Sequence, residues 1–315
     1  MGIGKIKGNQ MQIYMAGIYT SNFDLHGKIY RRLTDTEKAD RDNIPHKLES
    51  YHYINKQSYI DKIRRDKEQV FLDSGAFSAW SKGVEIDLPA YCRYIKENDD
   101  IIRKEGDAIM ASVLDSIGDD LGTWQNQKEM ERHGVRPLPC FHYGEDPRFL
   151  QEYAHNYSYI TLGGMVAQST KDLLIWLDEI WEKYLTDGAG RPITKVHAFG
   201  VTTPILMKKY PWFSVDSSSW VQVAANGSIL YDGKALAISE QSPNRKVQNQ
   251  HFYTFSPMQQ EAIVKHLASQ GYERERLSLE YVSRWVYNIR AYVEMHKEYP
   301  PYEDARFIQT QLGLF

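Results

Sequence analysis

FLDSGAFSAW (residues 71–80) ends an apolar, β-forming run in an aspartate, follows it with a Ser-Gly turn, and brings two aromatics close behind. Glycine at such a turn lets the backbone approach a ligand closely, and loops after strands are where sites are built. Taken alone, Asp73 equally suits a strand end that caps the following turn. The same pattern recurs outward from it. Strand-like runs occur at MQIYMAG (11–17), QVFLD (69–73), AIMASVLD (108–115), RPLPCFHY (136–143), YSYITLGG (157–164), KVHAFGV (195–201) and WFSVD (212–216). Several are continuously apolar, as expected of parallel strands buried on both faces.

Amphipathic helices are expected between them, for instance over 88–105 and 170–185. Pro89 stands just inside the first, and Ser169 or Thr170 caps the second. Polar or glycine residues close nearly every strand: Asp73, Asp115, His142, Gly163, Gly200 and Asp216. Function spread over successive strand ends favours a TIM (β/α)8 barrel, because a doubly wound sheet gathers its ligand at one switch point. Residues 28–67, rich in Lys, Arg, Asp and Tyr, read as a helical insertion after the first strand. Residues 221–250 read as a β-hairpin after the seventh strand, signalled by Asn-Gly and Asp-Gly, and then a basic loop. Two closing helices follow, and residues 1–315 read as a single domain.

Composition narrows the classes of function. A chain of 315 residues with 42% hydrophobic content can bury a full barrel core. The net charge of −3 gives no global pull on nucleic acid, so phosphate contacts must be local. Arg245 and Lys246 in the SPNRKVQNQ loop (242–250) are the better candidates. Arg31, Arg32, Lys62, Arg64, Arg65 and Lys67 sit among acidic neighbours and suit a solvated face equally well. Two cysteines, Cys92 and Cys140, exclude a disulfide scaffold and any zinc site of three or four cysteines, and suit a reducing cytoplasm. No apolar run approaches the about 18 residues of a membrane span.

Asp216 lies after Phe213 and Val215 and before three serines, so alone it also suits a strand-end cap. Two aspartates from separate strands of one barrel can converge above its axis. Retaining cleavage of a glycosidic bond needs one carboxylate nucleophile and one carboxyl acid/base. Here the sequence resembles the tRNA-guanine transglycosylase superfamily. DSGAF (73–77) resembles its DSGGF or DSGGY signature, LGGM (162–165) its LGGL segment, and HAFGVTTP (197–204) its LMGVGTP segment. WFSVD (212–216) falls where that family places its nucleophilic aspartate, and ASVLDSIGD (111–119) where an aspartate reads the purine. The five strings keep the family's order over roughly residues 69–220.

The resemblance implies that Asp216 attacks C1′ and that Asp73 is the general acid/base. It implies that Asp115 accepts hydrogen bonds from the purine N1–H and 2-amino group. Ser74, Gly75, Gly163, Gly164, Met165 and Gly200 would approach the base, and Phe77 and Phe199 would sandwich it. For both rings ordinary core packing is the competing account. The family's glutamine before a glycine is replaced by FHYG (141–144), so His142 or Tyr143 would supply the donor to the base carbonyl.

The family's zinc subdomain needs three cysteines near the C-terminus, and no cysteine follows Cys140. No zinc subdomain, no metal and no cofactor are therefore expected. An offshoot that places 7-deazaguanines such as preQ0 into DNA, in bacterial modification clusters and phages, resembles this chain in its DSGAFSAW-like wording without zinc cysteines. DNA is thus the favoured partner, in the bacterial cytoplasm or that of a phage host. The alternatives are a compact tRNA transglycosylase, a non-catalytic nucleic-acid-binding relative, and a metal-dependent barrel hydrolase. The incoming base and the oligomeric state are left open.

Overall fold

The computed structural model describes residues 10–297, 299, 301–302 and 305–309. The chain forms two compact units. One is built on Asn9–Ser21, His46–Ser217 and the residues after Pro300, the other on Asn22–Pro45 and Ser218–Tyr299.

The first unit is mixed α/β around a curled, seven-stranded parallel sheet. Its strands are β1 (Gln12–Ala16), β2 (Lys47–Ser50), β3 (Val70–Asp73), β6 (Cys140–His142), β7 (Tyr159–Gly163), β8 (Lys195–Ala198) and β9 (Ser214–Ser217), in the order β3-β2-β1-β9-β8-β7-β6. A short antiparallel pair, β4 (Lys104–Glu105) and β5 (Ala108–Ile109), lies outside this ladder. The run 108–115 was expected to be one full strand. Instead its first two residues fold back on β4, and 110–113 reach the outermost strands through isolated parallel bridges. On one side Leu72 donates to Met110 O (2.8 Å) and accepts from Ser112 N (2.9 Å). On the other, Leu138 accepts from Val113 N (2.9 Å) and donates to Ala111 O (2.8 Å). The continuous ladder therefore has seven strands where eight were expected.

Seven buried side chains form one cluster: Tyr14, Leu48, Phe71, Met110, Leu138, Tyr159 and Phe213. Each comes from a different strand or strand-like segment, so the inner face of the curl is packed rather than hollow.

The expected insertion at 28–67 is corrected by β2, which lies between β1 and β3. KLES looks unlike a strand because two of its four residues are charged. Both are satisfied in place: buried Lys47 meets Glu68 at 2.9 Å. Buried Glu49 accepts the Tyr19 N–H and the Thr20 hydroxyl, the latter at 2.7 Å. A buried charge persists only when paired or hydrogen-bonded in this way.

Helices fall between the strands, with boundaries set by their caps. The helix Leu88–Glu97 starts at Asp87, whose carboxylate accepts the Ala90 N–H, and stops short of the expected 105. Ser169 caps Thr170–Ile180, which continues as a π-helical turn over Trp181–Leu185.

The second unit holds the helix Asp35–Asp42, the hairpin β10 (Ser228–Tyr231) and β11 (Lys234–Ala237), and the closing helices, among them Pro257–Ser269 and Tyr281–His296. The hairpin turns on Asp232 and Gly233, both at positive φ as a two-residue primed turn requires. It follows β9, so it stands later in the strand count than expected, because β2 and the β4/β5 pair precede it. No helix among the described residues is long and apolar enough to cross a membrane.

Candidate active site

Parallel strands present all their C-terminal ends on one edge, and that edge carries the candidate residues. Asp73 is the last residue of β3, His142 of β6 and Gly163 of β7. Asp216 lies in β9, Asp115 follows the bridging segment 110–113, and Gly200 follows β8. Three aspartates thus share one rim.

Asp73 is held from three directions. The Ser50 hydroxyl donates to Oδ2 at 2.7 Å, the Gly75 N–H donates to Oδ2 at 3.0 Å, and the Ser112 hydroxyl meets Oδ1 at 3.4 Å. Burial pushes its pKa up to about 6, and the charges of Asp115 and Asp216 add to the rise while the Ser50 and Gly75 hydrogen bonds oppose it. Gly75 adopts φ +74, and a Cβ there would lie 2.7 Å from the Cβ of His52. The Ser-Gly turn is therefore fixed by both conformation and space.

Asp216 is buried, and the Gly200 N–H donates to its Oδ1 at 2.8 Å. His197 Nε2 lies 3.4 Å from the same oxygen without making a hydrogen bond. His197 is fully enclosed, with Nδ1 against Ser214 Oγ. Burial lowers its pKa despite the neighbouring carboxylate.

The third cluster surrounds Asp115. His142 Nε2 approaches Asp115 Oδ2 at 3.6 Å and Cys140 Sγ at 3.4 Å, while Nδ1 meets Glu145 Oε1 at 2.8 Å. The His142 N–H also donates to Glu145, at 2.8 Å to Oε2. Burial opposes charging of His142, but Cys140 and Asp115 outweigh it and its pKa is raised. The Cys140 thiol is itself pushed up to about 11, chiefly by burial. Asp115 Oδ1 is buried with no hydrogen-bond partner. A buried acceptor left open at a rim is a place for a ligand donor.

The remaining candidates divide. Gly163 is required by space: a Cβ there would come within 2.7 Å of His142 Cδ2 and 3.2 Å of Cys140 Sγ. Gly164 (φ +73) lies against the Tyr143 backbone, and Gly200 (φ +69) against Val166. Met165 is buried, and Tyr143 packs on Trp176 with ring centroids 5.2 Å apart. Ser74 is fully buried, its N–H donating to Ser112 Oγ at 2.9 Å, which makes it a brace of the turn. Phe199 packs against His197 and Phe71. Phe77 is 66% exposed and leans on Trp80, itself 61% exposed, so this pair is not core.

Arg245 and Lys246 are exposed residues of the second unit, whereas the three aspartates belong to the first. Of the other basic candidates, Arg64 is engaged by Asp100 and Arg32 by Glu280. Sequence reasoning missed Ser50, Ser112 and Glu145. Nothing in a single serine or glutamate marks it out; only the adjacency of β2, 110–113 and β6 does. Neither a protein-family model nor a curated protein matches this chain.

Proposed function

We propose that the chain is a base-exchanging transglycosylase. It would release guanine from a polynucleotide, DNA in preference to tRNA, and install a 7-deazaguanine such as preQ0. On this reading the curled sheet and the segment 110–113 together make a (β/α)8 barrel, an arrangement supported by the bridges of 110–113 to both outer strands. The observation that carries the proposal is the shared rim of Asp73 and Asp216, which are 143 residues apart in sequence yet stand at the C-terminal ends of β3 and β9 of one parallel sheet, where the charge of Asp216 adds to the raised pKa of Asp73.

In this mechanism Asp216 attacks C1′ as the bond to guanine breaks, and Asp73 gives its proton to the departing base. The covalent glycosyl-aspartate then receives the incoming base at C1′. Asp73 recovers a proton from that base, and the Asp216 carboxylate is released. Asp216 needs a fixed orientation for this, which the Gly200 N–H supports by donating to Oδ1. The open Oδ1 of Asp115 suits the paired N–H donors on the guanine edge. The exposed Phe77 and Trp80 offer aromatic faces near the Asp73 turn, where a base leaving its stack could pack.

The test offers guanine-labelled DNA and tRNA in parallel, with unlabelled preQ0. Label is expected to leave DNA. Asp216→Asn is expected to lower release by roughly 10⁴-fold, the scale of losing one member of a catalytic group that acts as a unit, and to prevent the covalent adduct. Full release by Asp216→Asn removes that residue from the mechanism, and release from tRNA alone overturns the choice of polymer.

A further inference from the structure

The sheet rim contains a second constellation of different chemistry. Asp115, Cys140 and His142 offer a carboxylate oxygen, a sulfur and an imidazole nitrogen that all lie within 4.8 Å of one another. The edges of this triangle can be compared with what an ion would impose. A tetrahedral zinc-class ion, at about 2.0–2.1 Å from nitrogen, 2.3 Å from sulfur and 2.0–2.2 Å from oxygen, sets N···S and N···O edges of roughly 3.5 and 3.4 Å. The observed edges are 3.4 Å from His142 Nε2 to Cys140 Sγ and 3.6 Å from Nε2 to Asp115 Oδ2.

We propose that Asp115, Cys140 and His142 bind one zinc-class divalent cation, with Glu145 as the outer carboxylate. Two further features of the fold point the same way. Glu145 Oε1 lies 2.8 Å from His142 Nδ1, which holds the ring with Nε2 toward Cys140 and Asp115, where a cation would take the place of the Nε2 proton. A carboxylate behind a ligating histidine is the usual way a metal site fixes ring orientation. Across from them β7 has Gly163, where any side chain would occupy the space of Nε2 and Sγ. Cys140 and His142 are two apart on β6 and so share one face of the strand.

The chemistry balances. On binding, the Cys140 S–H and His142 Nε2–H bonds break, both protons pass to solvent, and sulfur–metal and nitrogen–metal bonds form. One thiolate and one carboxylate then offset the two positive charges, giving a coordination shell without net charge, with Glu145 outside it. Three protein ligands leave a fourth position open to water or to a ligand heteroatom, the pattern of a working rather than a closed structural site. A thiolate–imidazole–carboxylate set suits zinc better than magnesium or calcium. If Asp115 ligates through Oδ2, its buried Oδ1 still faces a purine donor. This role of Oδ1 rests on the transglycosylase reading; the metal site does not. The missing cysteines near the C-terminus bear only on a separate structural zinc, so they are silent about this site.

The test uses the full chain, stripped with a chelator and titrated with Co²⁺ and then Zn²⁺. One equivalent of cobalt is expected, with a thiolate-to-cobalt charge-transfer band that zinc abolishes. Cys140→Ser should remove that band, and Glu145→Gln should weaken binding roughly 10- to 100-fold, as loss of an outer carboxylate does. Wild-type protein that takes up no stoichiometric cobalt, or cobalt without a sulfur band, overturns the site whether or not any variant folds. Asp216→Asn should load metal like the wild type while losing base exchange. Wild-type protein that loads metal yet never exchanges guanine overturns the transglycosylase reading and leaves the site standing. Base exchange by protein that cannot bind cobalt does the reverse.

Discussion

At Asp73 three effects compete, and the balance among them determines what the carboxyl can do. Enclosure and two neighbouring carboxylates favour the protonated form, while the Ser50 hydroxyl and Gly75 N–H favour the anion. The result, a pKa pushed up to about 6, lets the group give and take a proton near neutral pH. On the proposed mechanism guanine departure would use the protonated form, whose fraction falls as pH rises through about 6. In single-turnover release, the rate is therefore expected to decline above that pH, by up to tenfold per unit where this step limits. Asp73→Asn should lower the rate and flatten that limb. A variant that keeps the wild-type profile would mean that another group titrates. Ser50→Ala removes one stabiliser of the anion, so its limb should move to higher pH, which a merely structural role for Ser50 would not produce.

Elements bring such residues together, and β2 illustrates how a strand can be hidden in its own sequence. Lys47-Leu48-Glu49-Ser50 carries neither alternation nor β-branched side chains. Its burial depends on Glu68, 21 residues away, and on the Tyr19–Thr20 turn, about 30 residues the other way. Glu49 is wholly enclosed, and burial raises its pKa to about 7 against hydrogen bonds that pull it down. A raised folded-state pKa means stability that is fully present below the unfolded value near 4.5 and lost as pH rises through about 7. The shift corresponds to at most about 3 kcal/mol. Glu49→Gln should thus flatten the stability profile between pH 5 and 7 and exceed the wild type at pH 8, as read from urea midpoints. A wild-type profile that stays flat over this range would show that Glu49 remains ionised in the fold.

The same contrast explains what could be read in advance. Asp73, Asp115 and Asp216 stood out because each ends an apolar run, and the β10/β11 turn because Asp-Gly at positive φ has few other uses. Ser50 and Ser112 act only through strand neighbours that no local pattern reveals, whereas Glu145 reaches His142 three residues back through the turn after β6. The segment 110–113 was legible as apolar but not as bridged, since bridging depends on Leu72 and Leu138.

At the scale of the whole molecule, the chain leaves β1 for the second unit and returns to form β2, so Asn22–Pro45 must be held by residues far along the sequence. The fastening is polar. Asp40, buried in the helix Asp35–Asp42, meets Arg290 Nη1 at 3.0 Å and the Tyr272 hydroxyl at 2.7 Å, across 250 and 232 residues. Glu37, one turn earlier, takes both Nε and Nη2 of Arg276 at 2.8 Å each. A short helix with so little apolar surface gains most of its order from such contacts. Removing one partner of a buried pair leaves the other charge uncompensated, which costs about 3–5 kcal/mol. Asp40→Ala strands Arg290, and it should lower stability on that scale. The loss should be local to the second unit. Amide exchange should quicken in Asp35–Asp42 and in Tyr281–His296 together, since the pair restrains both, while β7 and β8 keep their protection. If only the helix carrying the substitution opened, the two segments would not share one cooperative element, and the excursion after β1 would have to be held by its apolar contacts alone.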